Sequence, residues 1–462
     1  MKPTQTTNSN NTSSNLYLFG CTIVAALGGL LFGFDTAVIA GTTGWLRSNF
    51  DLSNSQLGFT VASALIGTML GAIVVGKPAD QYGRQIILKI LAAFYFISAI
   101  GCAFAGGWWA FLFFRFIGGL AVGGASVMAP MYIAEIAPAK MRGRLVAVTQ
   151  FNVVFGILLA YLSNLCISSF FGDILGDAQY RWMFGVEAIP AAAFFGLLFF
   201  TVQSPRWLVA KRRENEARSV LERCGTDGHG IDHEIREIQK SLDLEHHNLR
   251  EPFLRRKYLR PILLAIVIGA FNQLSGINAV LYYTPDIFKM AGAGVESALM
   301  QSVIVGVVML ITTMLAMAVI DKMGRRMLML IGSLGYLVGL GGTAWAFYTG
   351  GNGQLLLISL LIFVAAHGFG QGAVIWVFLS EIFPNRIRAR GQALGSFVLW
   401  TTNAVISWTF PMIAASAGWK AFAFYFCCMV AQLIWVLKIM PETKGVSLEQ
   451  IQKELDMCDI CE

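Results

Sequence analysis

Apolar runs of about twenty residues recur along the whole chain, each long enough to cross a bilayer as a helix. Twelve can be read, roughly at 17–41, 57–77, 86–106, 108–134, 145–167, 183–202, 260–285, 298–320, 327–348, 354–379, 392–414 and 419–440. Lipid offers the backbone no hydrogen-bond partners, so segments of this length cross it as helices. Composition agrees. The chain is 56% hydrophobic and only 13% charged, against about 25% charged in soluble domains. The expectation is an all-α membrane protein with twelve transmembrane helices.

The net charge of +7 does not point to nucleic acid, because the cations sit in short loops between apolar runs, as membrane topology requires. One set of loops carries Lys77, Arg84, Lys140, Arg142, Arg144, Lys322, Arg325, Arg326, Arg386, Arg388 and Arg390. The opposite set carries little beyond Arg47, Arg181, Lys289 and Lys420. The first set, both termini and the one long hydrophilic segment are therefore expected on the cytoplasmic side. The segments divide into a disordered tail at 1–15, a first six-helix half at 16–203, a helical linker at 204–257, a second half at 258–440 and a tail at 441–462. No cleavable signal pattern is read. Cysteines within apolar runs read as small core residues. Cys458 and Cys461 have metal or redox spacing without a partner pair, and His229 and His233 could share a helix face without a third ligand. No metal or cofactor is expected from either.

Two phrases occur twice. EIAPAKMRG at 135–143 returns as EIFPNRIRA at 381–389, and DQYGRQ at 80–85 returns as DKMGRR at 321–326. Each copy holds the same place in the order of spans: after spans 4 and 10, and after spans 2 and 8. The chain therefore reads as two parallel six-helix halves, an arrangement that in transporters places a substrate site between the halves. Gly83 and Gly324 permit tight turns. Asp80, Arg84, Glu135 and Arg142 match Asp321, Arg325, Glu381 and Arg388 as ion-pair clusters on the basic face. They are expected to clasp the two halves together and to open and close as a gate.

These motifs carry a resemblance. GFDTAVIAG (33–41), RFIGGLAVGG (115–124), PMYIAEIAPAKMRG (130–143), SPRWL (204–208), NQLSGINAVLYY (272–283), DKMGRR (321–326), WVFLSEIFPNRIR (376–388) and PETKG (441–445) together resemble the sugar porter family of the major facilitator superfamily. The likeness covers nearly the whole chain. It is nearest to bacterial D-xylose-type proton symporters and next to animal glucose facilitators. It implies the major facilitator fold and alternating access.

Three charges lie within spans: Asp35 in span 1, Arg115 in span 4 and Glu187 in span 6. Each costs about 2.5–3.5 kcal/mol near a helix centre on insertion scales, so each is expected to be paired or functional. Asp35 and Arg115 have opposite signs and are expected to pair. The resemblance makes Asp35 the proton-coupling carboxylate, Arg115 its partner and Glu187 a helper. A static structural pair is the alternative. For the sugar, the resemblance implies Gln150, Asn272, Gln273, Asn278, Tyr282, Trp376, Trp400 and Asn403. Amides supply donors and acceptors for hydroxyls, and an indole covers the C–H face of a pyranose. The chain departs from the family at Asn272, Ile157, Leu399, Ala373 and Gln203. His367, within span 10, could line the pocket or simply pack.

The function expected is import of a monosaccharide by proton symport. A uniporter with the same fold is the alternative, and a sugar sensor is a weaker one. The chain has no ATP-binding loop and no cluster of nucleophile, base and metal ligands, so it is not expected to be an enzyme. Its expected partners are a monosaccharide, protons and the lipid bilayer. It is expected to bind no nucleic acid and to work as a monomer in a cell membrane, with the bacterial inner membrane favoured.

Overall fold

The computed structural model describes residues 7–138, 141–225, 228–248, 252–350, 353–384, 387–446, 450–451 and 455. Among them every regular element is helical. Lys140, Arg386, Cys458 and Cys461 lie outside the described residues, as does the side chain of His229.

Eleven continuous helical stretches are long and apolar enough to cross a bilayer. The longest, Arg142–Phe200, has 59 residues. A straight helix of that length would span close to three times the ~30 Å hydrocarbon core. It turns at Gly176, where φ is +49°, and so makes two crossings. The twelve spans are Thr7–Val38, Asn54–Val74, Arg84–Phe104, Trp108–Ile136, Arg142–Leu175, Gln179–Leu197, Leu259–Met290, Val295–Met323, Arg325–Tyr348, Gly353–Glu381, Arg388–Ser416 and Gly418–Lys438.

Two features depart from the sequence reading. Residues 7–15, expected as disordered tail, continue the helix of span 1. Extending a helix that the apolar run has already nucleated adds a bond for each residue fixed. Spans 6, 7 and 10 are also each broken in the middle, at Val186–Glu187, Ser275–Gly276 and Gly370.

Packing repeats with a shift of six spans. Span 1 packs on span 5 as span 7 does on span 11, and span 3 on span 4 as span 9 does on span 10. Spans 2 and 8 each pack on the helix two places later in their own half. They also cross to the other half, span 2 to span 11 and span 8 to span 5. Between the halves, the helices Pro205–Ala210, Glu214–Arg223 and Gly228–Asn248 pack on one another. Large apolar residues such as Phe104, Trp109, Ile174 and Phe200 are exposed. That surface fits a hydrocarbon solvent rather than water.

Candidate functional site

On the basic face the two repeated phrases meet within each half. Arg84 Nε lies 3.2 Å from Glu135 Oε1 and its Nη1 3.0 Å from Asp80. Arg325 Nη2 donates to Glu381 Oε1 at 2.8 Å and its Nη1 lies 3.2 Å from Asp321. In this state each cluster closes within its own half. A parallel repeat places each arginine against the glutamate of its own half. Arg142 faces Glu234 of the linker at 3.8 Å, and Arg388 donates to the Phe383 carbonyl.

The turn glycines serve these clusters. Gly83 and Gly324 have φ of +95° and +92°, a region that favours glycine. Each leads directly into a span whose first amides need acceptors. Glu442 accepts from the backbone N–H of Arg325 at 2.9 Å and of Arg326 at 3.1 Å. Gln203 does the same work in the first half, accepting from Gln85 N at 3.1 Å. The departure at Gln203 keeps the acceptor and drops the charge.

Inside the first half, Arg115 Nη1 donates to Asp35 Oδ1 at 2.6 Å, with both residues buried. The Phe184 ring lies 5.5 Å from the guanidinium carbon. Glu187 is 2% exposed and sits at the break of span 6. Its Oε1 and the Nε of Arg115 have no hydrogen-bond partner among the described residues. The guanidinium is thus paired with Asp35 alone, while Glu187 is buried with an unpartnered oxygen.

The implied sugar ligands divide into three groups. The break in span 7 brings Asn272, Gln273 and Asn278 together: Gln273 Nε2 donates to Asn272 Oδ1 at 2.8 Å, and Asn278 Nδ2 donates to Gln273 Oε1 at 3.0 Å. Asn403 Nδ2 donates to the Tyr282 hydroxyl at 3.3 Å. Trp400 lies 5.8 Å from the Phe32 ring and lines a small cavity together with Asp35, Arg115 and Tyr282. Gln150 and Trp376 join neither hydrogen-bonded group, and Trp376 is 42% exposed. Among the described residues neither side chain has a hydrogen-bond partner.

Two further side chains stand apart from these groups. His367 Nδ1 lies 2.6 Å from the Tyr336 hydroxyl, which also donates to Gln371 Oε1 at 3.1 Å. Gln371 bonds to Gln432, which donates to Ser333 at 2.9 Å. His367 is thus a satisfied packing residue tying spans 9, 10 and 12. Asp286, at the far end of span 7, lines a cavity together with Thr43 and Arg47 of the other half.

The side-chain bonds that cross between the halves lie midway or toward the face opposite the basic loops. Tyr161 donates to the Leu281 carbonyl at 2.7 Å, Trp408 Nε1 to the Ser55 carbonyl at 3.1 Å and Ser169 to Glu296 at 3.0 Å. The halves are closed there, while the basic-face clusters close only on themselves.

A two-half helical carrier whose buried ion pair shares a cavity with Tyr282 and Trp400 of the other half defines a class, and residues 21–455 match the family model "Sugar (and other) transporter". The chain belongs to that family. It is 40% identical to the D-xylose-proton symporter of Escherichia coli K12, over 96% of each chain. The inward open conformation of the xylose transporter XylE from E. coli matches with a TM-score of 0.84 and 38% identity, covering 95% of this chain and 100% of that one. The XylE structure bound to 6-bromo-6-deoxy-D-glucose matches with a TM-score of 0.79 and 39% identity, covering 95% and 99%.

Proposed function

We propose that the protein imports a monosaccharide together with protons, moving the sugar unchanged by alternating access. The observation that carries this is one cavity lined by Asp35 and Arg115 from the first half and by Tyr282 and Trp400 from the second. A change of charge on Asp35 is therefore felt where the halves meet.

The steps follow from the contacts. A proton arriving at Asp35 cancels the charge that holds Arg115 at 2.6 Å. Arg115 then turns toward Glu187, whose Oε1 stands free to accept. That removes the tie between spans 1 and 4 and lets span 1 move against span 7. Sugar hydroxyls are met by Asn272, Gln273, Asn278 and Asn403, and the sugar ring by the Trp400 indole. Gln150 and Trp376 come into contact when the halves close over the sugar on the basic side. Asp80, Arg84, Glu135, Arg142, Asp321, Arg325, Glu381 and Arg388 set how firmly each half holds its own basic-face end.

The basic face is cytoplasmic in this reading, by the excess of Lys and Arg, and both termini lie on that side. The carrier works as a monomer in a cell membrane, the bacterial inner membrane being the favoured setting. Its similarity to the proton symporters of D-xylose and of arabinose, the latter from Bacillus subtilis, supports coupling to protons.

The test is reconstitution. Purified protein in energised vesicles is offered hexoses and pentoses while the external pH is followed. Sugar accumulation with alkalinisation of the medium is expected, and an uncoupler should collapse it. Equilibration of sugar without any pH change identifies a uniporter instead.

A further inference from the structure

On the face opposite the basic loops, a cavity of about 500 Å³ opens between the two halves. It is separate from the central cavity. The first half contributes Arg47 and Asn54, and the second contributes Tyr283, Asp286, Lys289 and Phe410. Among the described residues Arg47 Nη2 donates to the neutral Asn54 Oδ1 alone, at 2.8 Å. The Lys289 ammonium lies beside Gly44, and among the described residues it has neither a hydrogen bond nor an ion pair. Asp286 lines the same cavity, within electrostatic reach of Arg47 and Lys289 but in no ion pair with either among the described residues. Two cations against this one carboxylate leave the cavity with an excess positive charge. Its apolar lining is Leu57, Met290 and Pro411, backed by the buried stacked pair of Tyr283 and Phe410 with centroids 5.2 Å apart.

We propose that this cavity is a second ligand site, which takes a monosaccharide bearing a carboxylate, of the uronate class. The carboxylate meets Arg47 and Lys289, the Asn54 amide meets a hydroxyl, and the ring lies against the apolar lining of Leu57, Met290 and Pro411. The pairing follows from charge-assisted hydrogen bonding and from the amphipathic faces of a pyranose. A neutral sugar would leave both cations as they are and would bind less well. The site exists only while the two halves are together on this face. A ligand in it therefore favours that state over the one open to the outside, and acts as an external inhibitor of sugar uptake.

The inhibitory role rests on the transport reading, but the site itself does not, so binding and transport are measured separately. D-Glucuronate is titrated calorimetrically into the purified full-length protein, with glucose and acetate as comparisons. Binding of glucuronate is expected, with weaker binding of acetate. Lys289→Gln and Arg47→Gln should each weaken it roughly tenfold or more, the loss of one charge-assisted bond. In vesicles, external glucuronate is expected to lower the maximal rate of neutral sugar uptake, while the variants keep normal uptake and lose the inhibition. Three results overturn the proposal: no calorimetric binding, equal binding of acetate, or binding that neutral sugar displaces and both variants leave unchanged. The last would put the uronate in the central cavity.

Discussion

Asp35 joins span 1 to span 4 through a single short bond to Arg115, so one proton there changes what holds two helices together. Asp35→Asn keeps the shape and the acceptor oxygen but cannot carry the proton. Uphill accumulation of sugar should vanish in this variant, while sugar binding to purified protein survives. The scale is checkable: a proton crossing about 100 mV releases about 2.3 kcal/mol, which supports roughly a 50-fold gradient at about 1.4 kcal/mol per tenfold ratio. A variant that still accumulates sugar like the wild type would move the coupling to Glu187, the other buried carboxylate. The pair was legible in the sequence because two opposite charges stand alone in apolar runs. The chain of bonds from His367 through Tyr336, Gln371 and Gln432 to Ser333 was not. Its members are spread over three spans, and each alone reads as interhelical glue.

At the scale of elements, the spans were legible and their breaks were not. A hydropathy pattern registers where an apolar run ends, and the breaks in spans 6, 7 and 10 interrupt the helix without interrupting the run. The break in span 7 sets the candidate site, because it lets Asn278 reach back to Gln273. It depends on Gly276, with φ at +81° and the Tyr425 ring 2.3 Å from where a Cβ would stand. Gly276→Ala would add about 1–2 kcal/mol of left-handed strain and about 1–3 kcal/mol of overpacking. A lower melting temperature and weaker sugar binding are expected together, and a variant with unchanged affinity would remove this bend from the site. The start of span 3 gives a prediction of opposite sign. Gln203→Glu would place at its N-terminus the carboxylate that Glu442 already places at span 9. That should stabilise the helix by about 0.3–1 kcal/mol, read as a small rise in melting temperature. A fall would mean that the new charge is felt mainly by Glu135 across the same cluster.

For the whole molecule, the repeated phrases revealed two halves in register, but they do not say which cluster touches which half. The sequence shows equivalence, whereas contact between halves is decided by how they lean, and the expected clasp belongs to a state closed on the basic face. In this structure they lean together on the face opposite the basic loops. Span 2 meets span 11 there so closely that a Cβ on Gly58 would stand 2.0 Å from the Trp408 carbonyl oxygen. Gly58→Leu therefore penalises this state and leaves untouched any state in which spans 2 and 11 have parted. Overpacking of about 1–3 kcal/mol charged to one state alone moves the balance of two states by roughly fivefold to over a hundredfold. Spin labels on the basic-face ends of spans 4 and 10 should report shorter distances in the variant than in the wild type, as the carrier swings to its outward-facing form. Uptake should slow while sugar still binds from outside. Distances that stay the same in a well-folded variant would show that the two halves do not rock about this contact.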